Sequence, residues 1–377
     1  MIESTAYKTI FFERQPPNHL ENRQIISRHF TSFCLIHHEH KFIASEPSIP
    51  AVCIIIVNYN AGKWLAKSVQ SVLDQTFTDF QCIIVDNASS DGSIDTLPDL
   101  DERFEILRSD VNTGFAYANN MAAKRTKAPW IALLNPDAFA KPDWLEQLYK
   151  AKDIAPDIAM VGSTQYLALA KTPILDGAGD CYHVSGIAYR AGYNRLTEPP
   201  ETGRVFGPCA AAALYHRETF LQLGGFDHRF FCYHEDVDLA FRMQLIGKDC
   251  IQCKEAVVHH VSSAISNEVP DFAVYHGTRN RIWTFFKDMP MGALIILLPG
   301  HMAANATFIL WSIFRSKRFR PTIKGMWHGF LGLPHTVLYD RPKVQKTRTV
   351  SQIALLKRMT WSLVKVKKRG VHIRKLP

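Results

Sequence analysis

No phosphate-binding glycine loop stands at the ends of the apolar runs in this chain of 377 residues: neither Gly-x-Gly-x-x-Gly nor Gly-x-x-x-x-Gly-Lys-Ser/Thr is found there. That argues against a dinucleotide dehydrogenase and against a P-loop NTPase. Cysteine is sparse and scattered, at positions 34, 53, 82, 181, 209, 232, 250 and 253, several inside apolar runs and with no secretory signal ahead of them. Buried thiols in a reducing compartment are therefore expected rather than a disulfide framework. Cys250 and Cys253 form one Cys-x-x-Cys, but a zinc site needs a second ligand pair and none is evident, so both are expected to be structural. Charged residues make up 21% and hydrophobic ones 47%, which excludes a disordered or collagenous chain. What is scarce is acid after Phe314: residues 315–377 hold 17 Lys/Arg and one acid, Asp340, a net of +16 within a total of +9. Residues 1–314 therefore stand at −7, an acidic body joined to a basic tail.

The first fifty residues have no clean period and mix Phe11, Phe12, Phe30 and Phe33 with the cluster His37, His38 and His40. Residues 1–50 read as a poorly ordered extension with no chemistry assigned to it. Order is expected from Val52, where VCIIIV (52–57) is a short continuous apolar run bounded by Asn58, Tyr59 and Asn60. That is how a strand buried on both faces of a parallel sheet reads. Leu65, Val69, Val72 and Leu73 follow at helical spacing, then apolar runs at 82–85, 104–107 and 130–134, with a helical stretch at 116–127. Strands alternating with helices predict a doubly wound α/β sheet whose ligands sit at the carboxyl ends of the strands. Three polar clusters lie at such ends: 58–60, 86–93 and 135–138. Further on, 210–215 reads as a strand, 217–223 as a helix closed by Gly224 and Gly225, and 236–246 as a helix stopped by Gly247.

Met291 to Phe314 is a run of 24 residues without Asp, Glu, Lys or Arg, long enough for a helix across roughly 30 Å of hydrocarbon. Pro299, Gly300, His301 and Asn305 interrupt its middle, which favours a re-entrant or surface-lying helical hairpin. A true span and a buried helix pair in a soluble domain stay open. The basic tail tilts the reading toward an anionic membrane, on its cytoplasmic side.

Six motifs then stand in order: IIIVNYN (54–60), VDNASSDGS (85–93), NTGFAYANN (112–120), LLNPDA (133–138), GGFDHRFFCYHEDVDLAFR (224–242) and VVHHVSSA (257–264). In that order and spacing the chain resembles a glycosyltransferase family 2 enzyme, within it the bacterial rhamnosyltransferase-like branch, over about residues 52–287. The resemblance implies a GT-A fold, a doubly wound mixed sheet over 51–287 that binds a nucleotide-sugar donor and transfers the sugar with inversion. Residues 288–377 would be a helical, membrane-associated extension. It implies donor contacts from Val57, Asn58, Tyr59, Asn60, Asp86, Asn87, Asn112, Gly114, Asn119, Asn135 and Arg279. At Asp86 a carboxylate ending a strand can accept hydrogen bonds from a nucleobase edge, although Asp-Asn is also an ordinary turn pair. Asp91 and Ser93 read better as helix caps.

The tripeptide Asn135-Pro136-Asp137 resembles the family's Asp-x-Asp signature, which implies Mg²⁺ or Mn²⁺ against the donor diphosphate. Only one carboxylate is present, so the second protein ligand falls to His260, with His259 beside it leaving the register ambiguous. Glu235 and Asp236 open a helix, where the dipole favours an ionised carboxylate; the family reading makes Asp236 the general base and counts Glu235 with it as catalytic. Asp238 is expected to be a structural acid supporting Arg242 at i+4. Arg279, Asn280 and Arg281 match a basic triplet able to grip a donor or acceptor diphosphate, an exposed helix face being the plainer alternative.

A sugar nucleotidyltransferase would be expected to carry a Gly-rich, basic first loop, whereas 58–63 has one glycine. A processive synthase would need Gln-x-x-Arg-Trp and several long spans, and neither is found. A non-catalytic membrane-binding or nucleic-acid-binding protein is the other class, and the tail lacks an interleaved aromatic recognition module, so no nucleic acid is expected. The expectation is an inverting, metal-assisted transferase, with dTDP-rhamnose as leading donor and a lipid-linked or cell-surface glycan as acceptor. It would be cytoplasmic, peripheral or monotopic at the inner face of the plasma membrane.

Overall fold

The apolar run at 52–57 becomes the strand from which the sheet grows in both directions. A computed structural model describes residues 48–262 and 270–376; the expected N-terminal extension lies, for residues 1–47, outside the described residues. Strand β1 (Val52–Asn58) is buried along its whole length, because it is paired on both edges and covered on both faces. On one side β2 (Phe80–Asp86) and then β3 (Phe104–Arg108) add in parallel, reached through helix α1 (Lys63–Leu73) and a 3₁₀ turn at Ser93–Thr96. On the other side lies β4 (Trp130–Leu134), also parallel to β1 and reached through α2 (Gly114–Arg125). Since the chain leaves β1 in both directions, a crevice opens over the carboxyl ends of these strands.

Beyond β4 the sheet becomes mixed. After β5 (Ala138–Ala140), α3 (Trp144–Ala151), β6 (Ile158–Leu167), β7 (Leu175–Ala178), β8 (Asp180–Tyr182), β9 (Ala188–Arg190) and β10 (Gly203–Val205), the chain enters β11 (Ala212–His216). Strand β11 runs antiparallel between β4 and β6. Helices α4 (Arg217–Gln222) and α5 (Glu235–Leu245) lead to β12 (Asp249–His260), parallel to β6 and edged by β10. Strands β5 and β7 pair off the main path with β12 and β6, and β8 with β9 forms a separate hairpin. Alternate residues of β1 feed two cores: Ile54 and Ile56 pack with Leu65, Val69 and Trp144, while Cys53 and Ile55 pack with Ile131, Tyr215 and Phe220. Cys250 and Cys253 fall in opposite cores, because three residues along a strand reverse the side-chain direction, so the two thiols share no ion.

Three long helices follow: α6 (Pro270–Asp288), α7 (Met291–Ile313) and α8 (Ser316–Leu331). The hairpin expected within 291–314 is not there; α7 runs unbroken through Pro299, and its return partner is α8. Proline removes the bond to the carbonyl four residues back. Here Pro299, Gly300 and Ile295 all lie exposed, so the defect sits on a side that touches no protein. The residues after 288 are stitched to the sheet domain. His301 stacks on Phe285 at 3.9 Å and bonds Ser185 O, Thr360 N donates to Tyr182 O, and the Arg374 guanidinium grips the Asp249 carboxylate.

Candidate active site

The asparagines at the strand ends are spent largely on one another's loops. Asn58 Nδ2 lies 3.0 Å from Asp86 Oδ1, 3.0 Å from Ser89 Oγ and 2.9 Å from Ser93 Oγ. Asn60, at φ 50°, accepts from Ser90 N, and its own N donates to Ser89 Oγ. Asp91 accepts from Ser93 N and also from Gly62 N, so it ties two loops as well as capping a turn. Asn87 Oδ1 accepts from Thr113, and Asn87 Nδ2 donates to Asn112 Oδ1, which also takes Gly114 N. The result is a cross-braced rim holding a buried Asp86 carboxylate, with Val57 buried beneath and the Tyr59 ring exposed at the edge. Two expected donor contacts are placed differently. Asn119 is buried in α2 and donates to Phe115 O one turn earlier. Gly114 has φ +82°, and a Cβ there would stand 2.6–2.8 Å from Phe231; close chain approach accounts for this glycine.

Asn135 and Asp137 come to the crevice after β4, and β12 brings His260 to meet them. His260 Nε2 is 3.1 Å from Asp137 Oδ1 and 3.4 Å from Asn135 Nδ2. The other ring nitrogen lies 2.8 Å from Asp176 Oδ2, and Asp176 is paired with Arg190. His259 points to the other side of the strand, exposed and stacked on Tyr166, so of the two histidines it is His260 that meets Asp137. Burial opposes protonation of the His260 ring, yet its hydrogen bonds to Asp137 and Asp176 win and raise its pKa to about 9. For a divalent cation the donor set fits: one carboxylate and one imidazole face each other, and the second ring nitrogen is fixed by an outer carboxylate. Among the described residues no group of three or more His, Cys, Asp or Glu is disposed to hold an ion. Asp137 and His260 would thus supply two donors and leave the others to diphosphate oxygens and water.

The third part is the loop entering α5. Phe231, Tyr233 and His234 all have positive φ, 66°, 68° and 68°, conformations costing about 1–3 kcal/mol each and kept only where the surroundings enforce them. Asn280 enforces them, with Nδ2 at 3.1, 3.1 and 2.7 Å from the carbonyl oxygens of Phe230, Cys232 and Tyr233. Arg279 donates to the Arg229 and Phe230 carbonyls at 3.0 Å and covers the Trp283 ring. Arg279 is therefore a staple of this loop, its guanidinium committed to carbonyls rather than presented to a donor phosphate.

The loop delivers Asp236, which accepts from Val237 N at 2.8 Å and from Ala210 N at 3.2 Å. The helix terminus alone would favour the ionised form, but burial outweighs these bonds and raises the Asp236 pKa. Asp180 and Glu235 stand in the same field: burial, with Asp236 next, lifts Asp180 to about 8 and Glu235 well above its ordinary value. Glu235 is buried, one of its oxygens without a hydrogen-bond partner among the described residues. Asp238 pairs with Arg242 one turn on, and also with Lys287. Sequence reasoning missed Asp176, Asp180 and Arg190. Two acids inside the otherwise apolar ILDGAGDCY (174–182) are the signal that could have marked the segment.

Residues 53–224 match the family model described as Glycosyl transferase family 2. A putative teichuronic acid biosynthesis glycosyltransferase, TuaG of Bacillus subtilis (strain 168), is 38% identical over 101 residues, 26% of this chain and 40% of that protein. The N-acetylglucosaminyl-diphospho-decaprenol L-rhamnosyltransferase of Mycobacterium tuberculosis (strain ATCC 25618 / H37Rv) is 25% identical over 299 residues, 71% of this chain and 95% of that protein. The crystal structure of GalNAc-T7 with UDP, GalNAc and Mn²⁺ superposes with TM-score 0.50 at 16% identity, covering 62% of this chain and 48% of that one; at that identity the likeness is one of fold. The chain spans 40%, 36% and 34% of the first three curated relatives it matches.

Proposed function

We propose, from the premise that this chain is a glycosyltransferase carrying a family 2 domain on a GT-A sheet, that it moves one sugar from a nucleotide-sugar to a glycan hydroxyl with inversion at the anomeric carbon. The observation that carries the reading is Asp236: a carboxylate with a raised pKa, held by a strained and stapled loop, in the field of the same Arg190 that pairs with Asp176 behind His260. Asp86, oriented by Asn58, accepts from the edge of the donor base, and the braced Asn87–Asn112 rim holds the nucleoside. Asp137 and His260 would hold Mg²⁺ or Mn²⁺, which when bound neutralises charge developing on the diphosphate. Asp236 takes the proton of the acceptor hydroxyl as that oxygen attacks the anomeric carbon, and the bond to the diphosphate oxygen breaks on the opposite side. A raised pKa suits an acceptor of protons near neutrality.

The relative with the longest match reported above is named an L-rhamnosyltransferase, which supports dTDP-rhamnose as donor and a lipid-linked glycan as acceptor. Helix α7 supports a membrane location. It turns His301, Asn305 and Ser312 toward the protein and Ile295, Ile296, Leu310 and Ile313 away from it, the reverse of a water-facing helix. Its inner face is engaged from Ala293 to Ser312, so it lies along the domain and rests on a bilayer rather than crossing it, with the basic tail at the cytoplasmic leaflet.

A donor screen tests this. Protein in detergent with Mn²⁺ or Mg²⁺ is offered a panel of nucleotide sugars, and thermal stabilisation and nucleoside diphosphate release are followed. A donor at 100 times its Kd adds about 2.7 kcal/mol of stability. One nucleotide sugar should act, only with metal, and Asp137→Ala should abolish the shift; stabilisation by a nucleoside triphosphate alone would replace transfer with nucleotidyl chemistry.

A further inference from the structure

A cavity of about 650 Å³ lies between the β9 hairpin, α6, α7, α8 and the last short helix, Leu363–Lys368. Five cations line it, Arg195, Arg281, Arg318, Lys367 and Arg369, with no acid among the described residues of its walls. Among the described residues none of the five has an ion-pair partner, whereas Arg190, Arg204, Arg242 and Arg374 each pair with a carboxylate. Arg281 is the most informative. It is only 7% exposed and lies over the Phe308 ring; among the described residues its one side-chain hydrogen bond goes to Asn305 Oδ1 and its buried Nε has no hydrogen-bond partner. A buried guanidinium with no counter-charge is costly, and burial holds its pKa down to about 10. The cavity reaches the start of α5, for His234, which lines it, is the N-cap of the helix whose second residue is Asp236. It also faces the apolar helix, for Phe308 and Trp311 of α7 form one wall.

We infer that this cavity receives the diphosphate of a lipid-linked acceptor, its anion on Arg281 and the neighbouring cations and its hydrocarbon chain along the outer face of α7. The inference rests on the glycosyl-transfer reading and gives the acceptor's anchor a place in the fold. Several uncompensated cations around one cavity match a multiply charged diphosphate better than the single charge of a common phospholipid. An anchor at this place brings the hydroxyl of the first sugars toward Asp236, while the chain stays in the hydrocarbon that α7 faces.

The test uses the full chain in detergent micelles and geranylgeranyl diphosphate as probe, with inorganic pyrophosphate and phosphatidylglycerol vesicles as the two other sources of phosphate. The probe should bind at least tenfold tighter than pyrophosphate, and phosphatidylglycerol should displace it poorly. Arg281→Gln should weaken it tenfold or more; because that residue is buried, the Arg318→Gln/Lys367→Gln double variant on the open wall is measured beside it and should do the same. Lys357→Gln, an exposed charge outside the cavity, should bind as the wild type does. Pyrophosphate binding as well as the probe, displacement by phosphatidylglycerol at equal concentration, or a double variant that binds normally would each overturn the acceptor assignment. Nucleotide-sugar stabilisation of the wild type is read separately: a protein that takes the nucleotide sugar but not the probe loses this inference alone, and one that takes the probe but no nucleotide sugar keeps the cavity and loses the transferase reading.

Discussion

Helices α1 and α7 follow opposite rules. Helix α1 buries Leu65, Val69 and Val72 and turns Lys63, Lys67 and Gln70 outward, as a helix between a sheet and water must. Helix α7 buries three polar side chains, His301, Asn305 and Ser312, and leaves Ile295 and Ile296 largely exposed. The difference extends to the regions around them. Residues 48–290 have eight exposed large hydrophobic side chains among those described, and residues 291–376 have 21. An apolar surface of that kind marks an interface, not a defect. On the proposed function the sheet half serves water and nucleotide and the helical half a second phase, with the cation-lined cavity between them.

The sharpest way to break this comparison is a pair of truncations. Leu65→Ala should cost about 2–5 kcal/mol of unfolding free energy, as for a packed core leucine, while Ile296→Ala should stay within about 0.5 kcal/mol. Denaturant unfolding of both variants checks it, and equal losses would mean that the outer face of α7 is packed against protein after all. Next in size is the chemistry assigned to the sheet half. Asp236→Asn should lower turnover by about 10²-fold or more, about 2.7 kcal/mol on the barrier, with donor-induced stabilisation retained. Near-normal turnover would remove Asp236 from the reaction.

Much of the sheet half was legible in the sequence because its signals are local. The run 52–57, the helical spacing of Leu65, Val69 and Val72, and the polar residues at each strand end gave β1, α1 and the crevice. What stayed hidden depends on partners distant in sequence. Asp176 and Arg190 belong to short strands with no strong period, and their meaning appears only when β12 brings His260 against Asp176. Arg279 and Asn280 carry the residue types of a phosphate grip, and only the fold shows their donors taken up by the carbonyls of a loop almost fifty residues earlier. The electrostatics of Asp236 were misjudged for a related reason: a helix terminus is visible in sequence, whereas the burial that outweighs it is not. Proline and glycine in α7 read as a break, since sequence does not reveal that they face away from any packing partner.

The seam between the halves has its own test. Asp249, at the start of β12, accepts from Arg374 and Arg204. Burial works against its charge, but the Arg374 guanidinium dominates and lowers its pKa from 3.8 to about 2. A depressed carboxylate stabilises the fold fully above its unfolded pKa and loses that contribution as pH falls through the folded value. The tail's attachment should therefore weaken between about pH 4 and pH 2, by about 2 kcal/mol in all. Amide exchange of residues 371–375 against pH follows it. Asp249→Asn should show the loosened exchange already at pH 7, and a tail equally protected at pH 2 would leave Asp249 without a part in holding it.

The smallest effects concern how the helical half meets its second phase, and they separate two contributions that the sequence presents as one. The tail's charge acts through the anionic surface and is screened by salt, whereas the outer face of α7 acts through hydrophobic burial and is not. Each exposed cation removed, Lys324→Gln or Lys343→Gln for instance, should weaken binding to phosphatidylglycerol vesicles by about 1 kcal/mol, roughly fivefold, and should not alter binding to phosphatidylcholine. Ile296→Glu should weaken binding to both. Sedimentation with the two lipids at two salt concentrations distinguishes them. If the lysine variants bind phosphatidylglycerol as the wild type does, the excess charge serves the cavity and not the membrane; if Ile296→Glu also binds normally, the apolar side of α7 meets another protein, and the contrast with α1 is one of partner rather than of solvent.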